Sequence, residues 1–324
     1  MKSKITIFLC LKDRAEYTKS WISNNLFSDY EYLVADGSNE NDNYDIFKNI
    51  NHKNLNYIKY PYDKDIKTYL DKVINALNKI ETPYVIRVDN DDILLKEGID
   101  SCIEKLENSN KFGIAQGNIR SIFMKNNTIK NPKYKILPDV KKNFKDLINL
   151  NSSESIEKAM SPYRSVWYAV YKTNIYKKIW IDILESKIDN IFLIEYLQTQ
   201  LALIHSNLVY LNKNYYLRLS NPNTSTTLKN QTLDFPDWQR IYFDKEYRKE
   251  VYTMSNFIAK KLNCDENWVI NVYRKMYLGF AGRERLRTMI FKGISHIALK
   301  SFTSFSPYMN ANKIKKIFNH LNIL

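Results

Sequence analysis

The stretch TPYVIRVDNDDILL, residues 82–95, decides the reading of this chain. Tyr84–Val88 is a short apolar run of the kind that forms a buried strand, and it leads straight into Asp89, Asn90, Asp91 and Asp92. Three carboxylates within four residues repel one another, and a nearby cation removes that cost. A hard divalent ion, Mg²⁺ or Mn²⁺, commonly takes one or two carboxylates together with the phosphates of a substrate. On that reading Asp91, with Asp89 beside it, holds an ion that bridges to a diphosphate. A second reading is local: Asp91 or Asp92 caps a helical turn that opens at Ile93-Leu94-Leu95.

Strand and helix patterns alternate on either side of this loop. Strands are expected at Lys4–Leu11, Tyr30–Ala35, Leu55–Tyr60 and Phe112–Gln116, with helices at Glu16–Leu26, Asn43–Ile50, Ile66–Ile80 and Gly98–Glu107. Alternation of this kind implies an α/β fold with a mostly parallel twisted sheet flanked by helices. Ligands bind such sheets beyond the carboxyl ends of the strands. Cys10–Arg14, Asp36-Gly37-Ser38 and Asp89–Asp92 all fall at such ends, so three polar clusters converge on one edge. Further on, 121–165 is weakly patterned and reads as loop-rich. Val166–Tyr171, Leu208–Leu211 and Tyr215–Leu219 read as strands, Asp189–His205 as a helix, and the chain from about Asp234 as helical.

ITIFLCLKDR (5–14), YLVADGSN (32–39) and TPYVIRVDNDDILL together resemble the nucleotide-sugar half of glycosyltransferase family 2, over about the first 120 residues. The resemblance implies a GT-A-like fold, an inverting sugar transfer and a nucleotide-sugar donor, commonly UDP-linked. It places Asp13 at the turn that lines the nucleotide pocket, Asp36 at the base, and Asp89 and Asp91 at the Asp-x-Asp pair, with Asp91 on the metal. The expected donor pocket comprises Cys10, Leu11, Asp13, Arg14, Asp36, Arg87, Asp89, Asn90 and Arg218. Cys10 stands where the family usually has Pro, and the turn after Ala35 is often one residue longer in relatives.

Inverting transfer needs a base to take the proton of the acceptor hydroxyl. The family places an acid at the start of a helix that precedes a strand like Leu208–Leu211. Glu195 matches that place; a solvated Glu195, or Asp189 as the base, are the alternatives. Relatives often have a metal-binding His near the position of Ser220. Arg218, just before it, can grip a diphosphate as a bidentate donor or lie idle on the surface. Tyr163, Trp167 and Tyr168 can stack on acceptor sugars or simply fill space.

Net charge is +14, and residues 270–324 carry ten Lys or Arg against one acid, Glu284. Arg283, Arg285, Arg287, Lys292, Lys313, Lys315 and Lys316 are interleaved with apolar residues. That pattern suits either an anionic membrane surface or a helical subdomain packed on the core. The expected organisation is 1–230 as catalytic domain (1–120 for the nucleotide sugar, 121–230 for the acceptor), then 231–324 as a helical basic region. Three scattered cysteines suggest incidental thiols in a reducing compartment. The N-terminal run reads as a first strand and not as a signal peptide. The expected location is the cytoplasm, with peripheral attachment to the inner face of its membrane, and the expected acceptor is a surface glycan or glycolipid. A nucleic-acid-binding protein is disfavoured because clustered acids repel a phosphate backbone. A nucleotidyltransferase is disfavoured because no glycine-rich loop stands near Leu11–Arg14.

Overall fold

The computed structural model describes residues 3–125, 132–136, 147, 150–220, 244–293 and 312, with 280–293 described through the backbone alone. Its first half is the expected alternation. Strands β1 (Ile5–Leu11), β2 (Glu31–Asp36), β3 (Leu55–Lys59) and β4 (Tyr84–Val88) are parallel neighbours in the order β3-β2-β1-β4. They are joined through α1 (Ala15–Asn25), α2 (Asp42–Phe47) and α3 (Ile66–Asn78). All five residues of β4 are buried, as are all but one of β1, because the sheet is covered on both faces. Edge strand β3 has no fully buried residue. A reciprocal Asp65–Thr68 capping box starts α3.

The second half is mixed. It contains β5 (Ile93–Leu94), α4 (Lys96–Glu107), β6 (Phe112–Met124), β7 (Tyr134–Ile136), α5 (Ser152–Met160) and β8 (Val170–Lys172). Then follow α6 (Thr173–Ser186), α7 (Ile191–His205), β9 (Asn207–Leu219), α8 (Lys245–Leu262) and α9 (Glu266–Gly293). The sheet continues from β4 as β8-β6-β9-β5, with β8 antiparallel to both β4 and β6 and β5 antiparallel to β9. The region expected to be loop-rich, 121–165, holds the end of β6, β7 and α5. The two short strands expected at 208–219 are one 13-residue strand.

The long pair β6 and β9 positions the site. They run parallel, and register shifts at Gln116/Asn118 and Asn118/Ile119 interrupt the ladder, a device that bends strands. Beyond those shifts, Leu217 and Tyr216 of β9 pair with Ile93 and Leu94 of β5, directly after the acid loop. Helix α4 backs onto the same strand so closely that only glycine fits at 98. A Cβ there would lie 2.1 Å from the Asn214 carbonyl oxygen.

Helix α7 is apolar on nearly every side, as a helix enclosed by protein must be. It packs against α5, α6 and α8. Its buried Gln198 donates to Tyr171 Oη at 2.6 Å, and Gln200 accepts from Tyr273 of α9. One continuous apolar core runs from Ile5 to Tyr277 and so includes α8 and the first turns of α9. The expected domain boundary near residue 230 and the basic segments at 294–311 and 313–324 lie outside the described residues.

Candidate active site

The acid loop stands at the carboxyl end of β4, and each of its side chains has a holder from elsewhere in the chain. Asp92 is 3% exposed; it accepts hydrogen bonds from Tyr216 Oη at 2.7 Å and from the Leu219 backbone N–H at 2.8 Å. Asp89 accepts from Tyr168 Oη at 2.5 Å. Asp91 pairs with Arg14 Nη2 at 2.6 Å. Asn90 donates to the Arg14 carbonyl and to Thr18 Oγ1, both at 3.0 Å. Fully buried Asn25 braces the exit of the loop, donating to the Asp92 carbonyl at 3.0 Å and accepting from Leu94 N–H at 2.7 Å. The rings of Tyr168 and Tyr216 stack at 4.6 Å, so one aromatic pair holds two of the three acids.

Carboxylate oxygens of Asp89, Asp91 and Asp92 lie within 4.8 Å of one another. Burial pushes the Asp91 carboxyl above its usual range; Arg14 pulls it back and Asp89 adds to the rise. Asp92 is pushed well above it by burial, then by Asp91 and Asp89, against the pull of Tyr216 and Leu219 N–H. Such crowding is what a hard cation relieves, and carboxylate oxygens are the donors it prefers. Asp92 already serves two protein donors, so Asp89 and Asp91 are the residues that suit an ion. Neither Asp91 nor Asp92 caps a helix: the loop runs into strand β5, and α4 starts after Leu95 with no side-chain cap. The local reading of these acids as helix caps is thereby set aside.

The other two strand-end clusters close around each other. Gly37 N–H donates to the Leu11 carbonyl at 3.0 Å, joining the turn after β2 to that after β1. Ser38 Oγ accepts from Asp13 N–H at 2.7 Å, and Asp13 Oδ1 accepts from Asn39 N–H at 3.2 Å. Asp13 and Arg14 both have positive φ, 57° and 59°, a region few non-glycine residues occupy. Asp36 is fully buried and accepts from Ser38 N–H at 2.9 Å and from the Tyr57 hydroxyl, with Lys59 Nζ at 3.4 Å. Beneath Gly37 sits a buried ion pair, Lys72 with Asp63, in which Lys72 also donates to the Leu11 carbonyl at 2.8 Å. Half-buried Cys10 packs on the core. Arg87 is 6% exposed, donates to Tyr69 Oη at 2.6 Å, and lies 4.5 Å from the Trp167 ring and 5.6 Å from that of Trp180.

Glu195 lies on α7, half-buried, with Oε1 accepting from Tyr163 Oη at 3.2 Å. The Tyr163 and Tyr196 rings meet edge to face at 4.7 Å. Arg218, next to last in β9, has its guanidinium 5.9 Å from the Tyr168 ring centre. Its pKa is raised by Tyr168 and further by Asp92, Glu195 and Asp89, although the residue is exposed. Asp189 is exposed, and Asn190, not Asp189, caps α7. Reasoning from sequence missed Tyr216, Asn25, Tyr57, Asp63 and Lys72. For Tyr168 it offered sugar stacking or space filling, and neither anticipates that its hydroxyl holds Asp89. The side chains of Arg283, Arg285, Arg287 and Lys292 lie outside the described residues. Among the described residues no helix is long and apolar enough to cross a membrane.

No family model matches the chain, and no curated protein sequence matches it. Solved structures do. The chain is similar to residues 1–349 of S. aureus TarS, with a TM-score of 0.54 at 15% identity, covering 90% of this chain and 75% of that one. Against the same TarS fragment in complex with UDP-GlcNAc the TM-score is 0.56 at 12% identity, over 90% and 76% of the two chains. The chain thus has the glycosyltransferase-like fold expected from its sequence: a curled, mixed α/β sheet flanked by helices and shared with TarS.

Proposed function

We propose that this chain is a glycosyltransferase that moves a sugar from a UDP-linked donor to a growing surface glycan, such as lipooligosaccharide or capsule. The observation that carries the proposal is the acid loop: Asp89 and Asp91 stand together at the carboxyl end of β4, beside the turns of β1 and β2. The shared fold adds support, since TarS with this architecture has been seen with UDP-GlcNAc. Asp91 and Asp89 would hold Mg²⁺ or Mn²⁺, which supplies charge neutralisation for a departing diphosphate. Cys10, Leu11, Asp13, Arg14, Asp36 and Asn90 would form the nucleotide side of the pocket.

Glu195 is the proposed base. It takes the proton of an acceptor hydroxyl while that oxygen attacks the anomeric carbon. The bond from that carbon to the diphosphate breaks, and the nucleoside diphosphate leaves with the electron pair. A single displacement of this kind inverts the anomeric centre and needs no enzyme nucleophile. Tyr163 fixes the Glu195 carboxylate, and Arg218 offers positive charge between it and the acids. Attachment to an anionic membrane through the basic C-terminal region belongs to the same proposal.

A panel of nucleotide sugars, screened by thermal shift with and without Mn²⁺ and then by product formation, tests this reading. A true donor raises the melting temperature only with the metal. Asp91→Ala abolishes that rise while the chain stays folded, and Glu195→Gln binds donor but does not transfer. Full turnover by Glu195→Gln would remove the base assignment, and a panel with no metal-dependent ligand would remove the function.

A further inference from the structure

We infer that Arg14 is a built-in counter-ion for Asp91 that a divalent cation displaces, so that loading the metal and freeing the Arg14 side chain are one event. This rests on the metal-dependent reading above and deepens it. Arg14 Nη2 lies 2.6 Å from Asp91 Oδ2, with the two side chains 13% and 9% exposed. While Arg14 stays on Asp91 Oδ2, a dication held by the same carboxylate would sit within a few ångströms of a second positive charge in a poorly hydrated site, and that repulsion favours exchange of one cation for the other.

The hold on Arg14 is partial, which suits exchange. Its Nε is buried without a hydrogen-bond partner among the described residues, so the guanidinium uses one nitrogen where a full fork would use two. Its face lies 4.5 Å from the Tyr17 ring centre, on the helix that the turn opens. The turn itself keeps Asp13 and Arg14 in succession at positive φ, a strained arrangement that other contacts must sustain. One of those contacts comes from the acid loop, where the Asn90 side chain donates to the Arg14 carbonyl at 3.0 Å. The β1 turn and the acid loop are therefore tied twice, by one neutral hydrogen bond and one ion pair, and only the ion pair competes with a metal.

The test is Mn²⁺ binding to the full chain without nucleotide, followed by calorimetry or by the Mn²⁺ spin-resonance signal. The variants are Arg14→Gln, Arg14→Gly (which suits the positive φ) and Asp91→Asn. Displacement predicts that both Arg14 variants bind Mn²⁺ about tenfold more tightly than wild type, because no ion pair has to be broken first. Melting temperatures of Arg14→Gln, Asp91→Asn and the double variant add a cycle. The pair should be coupled without Mn²⁺ and uncoupled at saturating Mn²⁺, an outcome that mere removal of a nearby positive charge does not give. Binding lost in Asp91→Asn but unchanged or weaker in the Arg14 variants overturns the exchange alone, as does coupling that persists with Mn²⁺. Equal Mn²⁺ binding by wild type and Asp91→Asn overturns the metal reading and the exchange with it.

Discussion

Tyr168→Phe isolates one hydrogen bond of the acid loop. Tyr168 is 8% exposed and its ring stacks on Tyr216 at 4.6 Å, and Phe preserves that packing. Only the hydroxyl that donates to Asp89 Oδ2 at 2.5 Å is lost. Burial, then the nearby Asp89, pushes the Tyr168 pKa well above its usual value, so the group is an O–H donor throughout the neutral range. A hydrogen bond to a charged acceptor contributes about 1.5–3 kcal/mol. Asp89 is half-buried, which argues for the lower end, about 1.5 kcal/mol. With a urea m value of about 3 kcal/mol/M, the unfolding midpoint falls by roughly 0.5 M. The assay is a cycle of Tyr168→Phe, Asp89→Asn and the double variant in urea. The predicted coupling is about 1 kcal/mol or more. A coupling under about 0.3 kcal/mol would refute the reasoning, since the two side chains would then be acting independently. The same substitution should weaken Mn²⁺ binding by about tenfold, the usual lower cost of losing a group that orients a metal ligand.

Two further outcomes concern the scaffold. Gly98→Ala would drive a Cβ to 2.1 Å from the Asn214 carbonyl oxygen and 2.6 Å from Tyr215 Cα, both backbone atoms that cannot swing away. The expected loss is about 3 kcal/mol, read by urea unfolding; wild-type stability would mean that α4 and β9 do not meet there. Cys102 is fully buried, and burial pushes its thiol up to about 12. With almost no thiolate at pH 8, it should resist iodoacetamide until urea unfolds the chain, and labelling in the native protein would contradict its burial.

Strands β1, β2 and β4 were legible because each is a mainly apolar run buried in the sheet, with turn or loop residues directly after it. The far half of β6 was not, because Asn118, Arg120 and Ser121 are only partly buried and imitate a loop. Its order comes from β9, about a hundred residues away, through contacts such as Arg120 Nε to Asn214 Oδ1 at 2.8 Å. Strand β5 is two residues long, and Ile93-Leu94-Leu95 serves a strand or a helix equally well until Leu217 and Tyr216 are brought beside it. Helix α5 did carry a signal, the capping box of Asn151 and Glu154, inside a stretch whose weak apolar periodicity hid it. The acids were visible because their spacing is local. Their holders Arg14, Tyr168 and Tyr216 lie 77, 79 and 124 residues from their partners, and no local pattern marks a residue that acts across such a distance. Arg87, one of the residues of the expected donor pocket, is enclosed by Tyr69, Trp167 and Trp180, aromatic neighbours that no local pattern announces.

Diffraction from crystals grown with Mn²⁺ and UDP, with data collected at the manganese absorption edge, tests the central claim most directly. The account predicts one anomalous peak between Asp89, Asp91 and the diphosphate, with Arg14 turned away from Asp91. Nucleotide bound at the ends of β1 and β2 with no manganese near those carboxylates, or manganese bound at some other place, would contradict it.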